Sequence, residues 1–207
     1  MEDLLDLYEQ PYDPKHPVIC YDERPCQLID DVIVPIPMKP GKPRKRDYEY
    51  RRNGTCCILI AFEPLTGKRF IKVVKHRTKA DYARFMKWIA QQYPDAESIQ
   101  LVQDNLNTHT AGSFYSVFSP QEAFELARKF ECHFTPIKGS WLNMVEIEIS
   151  ALSRQCLDRR IGNIGKLAYE VNAWEQERNR TKATVRWQFT KEDAREKFHR
   201  HYLNIQN

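Results

Sequence analysis

Three carboxylates stand in patterned surroundings where they could act together. Asp22 and Asp104 each follow an apolar run, and Glu146 follows Asn143 by three residues. Hard divalent ions such as Mg²⁺ take oxygen ligands, and two such ions about 3.5–4 Å apart can activate an attacking oxygen and stabilise a leaving one. Taken singly, each carboxylate is better explained as a turn or helix-cap residue. Taken together, they favour metal-dependent phosphoryl transfer.

The segments before Asp104 predict strands that would carry the two aspartates. Pro17–Tyr21 is a short apolar run that predicts a strand with Asp22 at its end. Asn53-Gly54 predicts a turn, Thr55–Phe62 a strand buried on both faces, and Arg69–Lys75 its return strand in a hairpin. Two aspartates at strand ends on one edge of a sheet suggest a shared site.

Helical signals alternate with the later strands. Thr78-x-x-Asp81 resembles a capping box, and apolar residues at helical spacing follow it as far as Pro94. The remaining predicted elements are a strand at Ser98–Val102, a helix from Ser119 through Phe130, a strand at Cys132–Thr135, and helices to the C-terminus. This order predicts a mixed sheet flanked by helices.

Length and composition are typical of one globular domain. The chain has 207 residues, of which 42% are hydrophobic, and its longest apolar run, Cys56–Phe62, is too short to cross a membrane. Met1–Gln10 carries four acidic residues and no Lys or Arg, unlike a secretory signal, so we expect a cytoplasmic protein. The six cysteines show no Cys-x-x-Cys spacing, which argues against zinc or a disulfide framework.

The positive charge is concentrated in one segment. Between Lys39 and Arg52 there are seven basic and two acidic residues, an excess larger than the net charge of +4 for the whole chain. Such a segment suits the DNA backbone, because each neutralised phosphate releases counterions and the interleaved Tyr48 and Tyr50 can stack on bases. A solvated loop is the alternative. The candidate DNA-binding residues are Lys39, Lys42, Arg44, Lys45, Arg46, Arg51 and Arg52.

The carboxylates belong to three motifs that occur in order along the chain. The motifs are Asp22-Glu23, Asp104-Asn105-x-x-x-His109 and Gly139-Ser-Trp-Leu-Asn143-x-x-Glu146. They resemble the catalytic motifs of DDE transposases of the mariner-like superfamily, in its bacterial insertion-sequence branch, the insertion-sequence six-thirty family. The resemblance extends from about Pro17 to the region of His201.

This resemblance implies an α/β fold, a ribonuclease-H-like mixed five-stranded sheet flanked by helices. It implies that Asp22, Asp104 and Glu146 are catalytic and hold two Mg²⁺ or Mn²⁺ ions. The implied activity is nicking at the ends of the element and joining of the freed 3′-hydroxyl to target DNA, by a homodimer acting on double-stranded DNA. Asn105, His109 and Asn143 match supporting positions, although two capping asparagines and a packed histidine explain them as well.

The chain departs from the family pattern in two ways. There are 41 residues between Asp104 and Glu146, more than is usual, and we place the surplus in Gly112–Glu122. The family also carries an N-terminal helix-turn-helix region, whereas only about sixteen residues precede the first predicted strand. We therefore expect a fragment, a split reading frame or a solitary catalytic half, with a lead of residues 1–16 and a catalytic domain of residues 17–207. A separate helix-turn-helix chain is an expected partner in the second case, and we expect a bacterial, nucleoid-associated location.

Two choices stay open on the sequence. The inward face of the helix after Asn143 is predicted to be Val145, Ile149, Leu152 and Cys156, which leaves Glu146 and Glu148 on opposite flanks, so only the motif match selects Glu146. The alternatives to a transposase are another ribonuclease-H-like nuclease, or a non-catalytic DNA-binding or assembly module. In such a module the basic segment and the stretch from Arg178 to Arg200 would bind DNA and the carboxylates would be structural.

Overall fold

A mixed five-stranded sheet forms the centre of the protein. The computed structural model describes residues 1–200. Strands follow the order β3-β2-β1-β4-β5, with β1 and β3 antiparallel to β2, while β4 is parallel to both β1 and β5. The predicted mixed sheet flanked by helices is confirmed. Its strands are β1 (Val18–Asp31), β2 (Tyr50–Glu63), β3 (Lys68–Val74), β4 (Ile99–Gln103) and β5 (Phe130–Phe134).

Helices cover both faces of the sheet. They are α1 (Glu2–Glu9), α2 (Lys79–Gln91), α3 (Gly112–Tyr115), α4 (Pro120–Lys129), α5 (Val145–Gln155), α6 (Ile164–Thr181) and α7 (Lys191–Lys197), with a short 3₁₀ helix at Ser140–Leu142. Successive strand residues point to opposite faces, so Ile58 and Ile60 pack with α1, α5, α6 and α7, whereas Leu59 packs with α2, α3 and α4. The sheet is therefore buried on both faces, as the apolar run at Thr55–Phe62 predicted.

The first strand is longer than the sequence predicted. Asp22 does not end a strand but lies inside β1, opposite Ile60 of β2. Beyond Cys20, β1 has lost its β4 partner, so one side of the strand is an edge that tolerates Pro25. The polar residues and proline after Asp22 thus occur where β1 no longer pairs with β4. The strand continues there because it still pairs with β2.

The predicted turn at Asn53-Gly54 is also wrong. Both residues lie inside β2, where the register shifts from Gln27↔Thr55 to Ile29↔Arg52. Two residues of β2 therefore face the single residue between Gln27 and Ile29, which is a β-bulge. Gly54 has φ +104°, a backbone conformation that favours glycine. The turn-like dipeptide thus marks a bulge in a long strand.

Most other local predictions are confirmed. The β2–β3 hairpin forms, the capping box of Thr78 and Asp81 begins α2, and Ser119 caps α4. The surplus predicted at Gly112–Glu122 contains α3 and the first turn of α4. Within residues 1–200, none of the helices has the length and apolar character needed to span a membrane.

Candidate functional site

Asp22 and Asp104 are brought side by side by two adjacent parallel strands. The register pairs Cys20 of β1 with Val102 of β4, and each aspartate lies two residues beyond this pair. Because β4 ends at Gln103 while β1 continues, the two side chains lie near each other where the sheet narrows, close enough for the charge of Asp104 to act on Asp22. Asp104 is about one-third exposed, so the position is open to solvent.

Glu146 lies in the first turn of α5, which packs against the same end of β1. The side-chain amide of Asn143 donates to the Tyr21 carbonyl at 2.9 Å, one residue before Asp22. The Glu146 N–H donates in turn to the Asn143 carbonyl at 3.0 Å. Asn143 is buried and, besides leading into α5, joins the start of this helix to the strand that carries Asp22.

The electrostatics of Asp22 indicate that the three carboxylates are close. The pKa of Asp22 is raised to about 7, chiefly by burial and also by the negative charges of Asp104, Glu146 and Glu23, against the opposing effect of a hydrogen bond from the Glu23 N–H at 2.7 Å. A cation would relieve this repulsion. Within residues 1–200, however, no three or more His, Cys, Asp or Glu side chains are gathered tightly enough to hold an ion as they stand. The fit to a hard divalent ion therefore rests on the type and charge of the three carboxylates, which supply the oxygen ligands such an ion prefers, and not on their present spacing.

His109 connects Asp104 to a second buried carboxylate. Its Nδ1 lies 2.5 Å from Asp104 Oδ1, and its Nε2 lies 2.9 Å from Glu23 Oε1. Burial lowers the pKa of His109, but the hydrogen bond and charge of Glu23 and the charge of Asp104 outweigh burial and raise it overall. With an acceptor at each ring nitrogen, the imidazolium form satisfies both. The ring stacks on Tyr82 at 5.0 Å, so His109 is both a packed core residue and a link to Asp104.

Glu23 and Gln103 support the site in ways that the sequence did not predict. The Glu23 side chain is 2% exposed, and it accepts a hydrogen bond from the Tyr21 hydroxyl at 3.1 Å. Gln103 is fully buried and donates to the His109 carbonyl at 3.2 Å. The available signal was strand alternation, because Glu23 shares the core-facing side of β1 with Tyr21, where a charge requires a partner. Asn105, by contrast, is exposed on the turn after Asp104.

Glu148 has a different environment from Glu146. Its side chain is fully buried, and it binds Arg69 at 2.6 Å and Arg178 at 2.8 Å. The sequence predicted Glu148 on a flank of the inward face of α5, and the structure buries that flank because Arg69 and Arg178 pair with the carboxylate. Glu146 is only partly buried. Of the two glutamates, Glu146 is the one with a carboxylate available to a ligand.

Five of the seven predicted DNA-binding residues lie on an exposed extension between β1 and β2, and Arg51 and Arg52 lie at the start of β2. Isolated bridges join Ile36 to Lys45 and Lys39 to Lys42, so residues 32–49 fold back on themselves as an irregular hairpin. Arg160 holds its base, since the guanidinium donates to three consecutive backbone carbonyls at positions 47–49. All seven predicted basic residues are exposed, including Arg46 and Arg51, whose guanidinium groups lie near acidic residues of β1.

Comparison with known proteins places this geometry in a family. The family model for the DDE superfamily endonuclease matches residues 17–168. Among solved structures, the Mos1 mariner paired end complex with Mn is similar at 15% identity and a TM-score of 0.56, covering 85% of this chain and 52% of the other. The Mos1 Strand Transfer Complex is similar at 14% identity and the same TM-score of 0.56, covering 84% and 51%.

These likenesses concern the fold. Both Mos1 chains are about twice as long as the part that this chain matches, and their shared architecture is the ribonuclease-H-like sheet that the sequence predicted. No curated protein matches this sequence. Because the family model covers most of the chain, including Asp22, Asp104 and Glu146, the protein belongs to the DDE superfamily of endonucleases.

Proposed function

We propose that the chain is a transposase catalytic domain that carries out metal-dependent DNA strand cleavage and strand transfer at the ends of an insertion sequence. The observation that carries this proposal is the juxtaposition of Asp22 and Asp104 on parallel strands, with the charge of Glu146 near enough to raise the pKa of Asp22. The three motifs support the insertion-sequence six-thirty branch. A double-stranded DNA substrate and a homodimer in the active complex belong to the same proposal, as does a separate helix-turn-helix chain.

In this proposal Asp22, Asp104 and Glu146 hold two Mg²⁺ or Mn²⁺ ions. Such ions, when bound, activate the attacking oxygen and stabilise the leaving oxygen of a phosphoryl transfer. The rest of the work is positioning by the protein. Glu23 and His109 hold Asp104, since each ring nitrogen of His109 faces one carboxylate. Asn143 holds the start of α5 against β1 and so sets the approach of Glu146.

The proposed activity is tested with DNA that carries the sequences flanking this reading frame, where the proposal expects terminal inverted repeats. Incubation with Mg²⁺ or Mn²⁺ is expected to give both nicked ends and products in which a 3′-hydroxyl is joined to a second DNA. Joined products separate a transposase from a resolvase or a ribonuclease H. Binding without cutting, under conditions where the protein is folded and metal is present, would support the non-catalytic module instead.

Metal binding is expected to stabilise the fold. The unfolded chain cannot gather three carboxylates that are up to 124 positions apart, so Mn²⁺ should bind the native state preferentially. At a hundredfold excess over Kd the gain is about 2.7 kcal/mol, a rise of several degrees in Tm for a domain of this size. Thermal unfolding at constant ionic strength measures it. Mn²⁺ should act at lower concentration than Mg²⁺, which dehydrates reluctantly.

The metal effect should depend on pH through Asp22. Because its folded pKa is raised to about 7 from an ordinary 3.8, the folded state keeps a proton that the unfolded chain has lost. Ionised Asp22 therefore lowers the free energy of unfolding, fully above pH 7, and this destabilisation is relieved as pH falls from 7 towards 4. Since the metal needs the ionised form, its effect on Tm should be larger at pH 8 than at pH 6. The double variant Asp22→Asn, Asp104→Asn should respond little, and an equal response would exclude a shared site.

The exposed basic extension is expected to bind DNA without regard to sequence. Neutralising Lys42, Arg44, Lys45 and Arg46 together should weaken binding to all DNA alike, because backbone contacts carry no sequence information. The slope of log affinity against log salt should flatten by roughly 0.9 for each lost phosphate contact. Fluorescence anisotropy at several salt concentrations measures this slope. An unchanged slope would show that the extension is only a solvated surface.

A further inference from the structure

A buried ionic cluster lies on α5 two residues beyond Glu146. Its centre is Glu148, whose side chain is fully buried. Arg69 donates from Nε to Glu148 Oε2 at 2.6 Å, and Arg178 donates from Nη2 to Glu148 Oε1 at 2.8 Å. Both carboxylate oxygens therefore accept hydrogen bonds from cations, Oε1 from Arg178 of α6 and Oε2 from Arg69 of β3 and, at 3.4 Å, from Arg178 Nε. We call these three residues the α5 clamp.

Arg69 is itself held on all sides. Its guanidinium donates to the Gly67 carbonyl and, at 2.5 Å, to the Ala183 carbonyl. Its backbone N–H donates to the side chain of Asn179 at 2.8 Å, and its carbonyl accepts from the same side chain at 3.0 Å. The Arg69 side chain has no exposed surface. A group so enclosed cannot follow α5 if the helix moves, so it acts as a fixed point for Glu148.

Glu146 lies between this fixed point and another. On one side, Asn143 joins the start of α5 to Tyr21, and on the other, Glu148 joins α5 to Arg69. Residues two apart on an α-helix are rotated by about 200° about the helix axis, so they lie on nearly opposite sides of it. Holding Glu148 in the core therefore places Glu146 on the other side of α5. Together with the buried side chains of Val145 and Leu152, these two polar contacts fix the rotation of α5 about its axis.

We propose that the α5 clamp is a positioning device that orients Glu146 towards Asp22 and Asp104, an inference that rests on the proposed metal-dependent function. Stability alone does not account for the cluster, because apolar residues of similar volume commonly replace a buried ion pair without loss. Directional hydrogen bonds, unlike apolar contacts, define where a carboxylate must lie. The α5 clamp thereby sets the orientation of Glu146, although neither arginine contacts that side chain.

The variant Glu148→Gln tests the proposal, because it keeps the shape of the side chain and removes its charge. Calorimetry with Mn²⁺ alone as the probe is expected to show about tenfold weaker binding, the usual effect of losing a residue that orients a ligand. Hydrogen exchange without metal should be faster across residues 145–150. The matched control is Glu175→Gln. Glu175 is a partly buried glutamate that also binds β3, by accepting the Ile71 N–H at 3.1 Å, but it belongs to α6 and should leave Mn²⁺ affinity unchanged.

A second variant separates positioning from folding. Replacing Arg69→Met together with Glu148→Leu removes both charges and refills the space, so it should melt closer to wild type than Arg69→Met alone and still bind Mn²⁺ weakly. Wild-type Mn²⁺ affinity in either folded variant would overturn the proposal while leaving the proposed function intact. If wild type bound no Mn²⁺, or bound it as tightly after Asp104→Asn, the proposed function would fail and the positioning role with it.

Discussion

Replacing Asp104 with Asn is expected to lower the rate of DNA strand cleavage by about a thousandfold or more while the fold persists. The amide keeps the shape of the side chain but removes a charge that the proposed metal site needs, and several kcal/mol of transition-state stabilisation corresponds to a loss of this size. Gel assays of nicking with Mn²⁺ measure the rate, and circular dichroism checks the fold. Glu146→Gln should have a comparable effect.

The matched control for charge removal is Asp158→Asn. Asp158 is exposed and lies outside the proposed metal site, so the same change from aspartate to asparagine should leave the rate of DNA cleavage at the wild-type level. A variant Asp104→Asn that nicked DNA at the normal rate would remove Asp104 from the site. If Glu148→Gln abolished cleavage and Glu146→Gln did not, the motif assignment would be wrong by two positions.

Replacing Arg69 with Met is expected to lower the free energy of unfolding by about 3–5 kcal/mol, because it leaves a buried carboxylate without its closest cation. For a domain of this length the loss corresponds to a fall in Tm on the order of 10 °C. Urea and thermal unfolding measure both quantities. The control is Arg180→Met, since Arg180 pairs with Glu177 on the surface and its loss should hardly change Tm.

The effect of Arg69→Met should diminish in acid. Burial raises the pKa of Glu148, but hydrogen bonds and charges from Arg69 and Arg178 outweigh burial and hold it below the ordinary value of 4.5. The stability from this pairing is therefore present above about pH 4.5 and is lost as pH falls through the folded pKa. The difference between wild type and variant should narrow over that range. A difference that stayed constant down to pH 3 would show that packing, and not the ion pair, accounts for the effect.

The sequence by itself determined the elements whose signals are local. The apolar run of β2, the capping box of Thr78 and Asp81, and the Ser119 cap before Pro120 all act between residues within a few positions of one another. Such signals survive without tertiary contacts, because they depend on side-chain period and on hydrogen bonds to the nearest backbone groups. The three motifs likewise marked Asp22, Asp104 and Glu146 before any geometry was known.

Strand length was decided only by tertiary pairing. The sequence predicted that the strand ends at Asp22, where polar residues and Pro25 follow, yet β2 supplies partners as far as Asp31. The same pairing turned Asn53-Gly54 from a hairpin turn into a bulge. Both outcomes depend on which strand lies alongside, and a dipeptide carries no information about a neighbour that is more than twenty residues away.

The support around the carboxylates was also decided by the tertiary structure. Glu23 and His109 are 86 positions apart, and Glu148 meets Arg69 across 79. In the sequence, Glu146 and Glu148 are two acidic residues of one predicted helix, and the helical pattern does not distinguish them. Their environments differ only in the folded protein, where Arg69 of β3 pairs with Glu148 and allows its charge to be buried. A charged side chain is buried only where an opposite charge or hydrogen-bond partner is present, and here that partner comes from a distant segment.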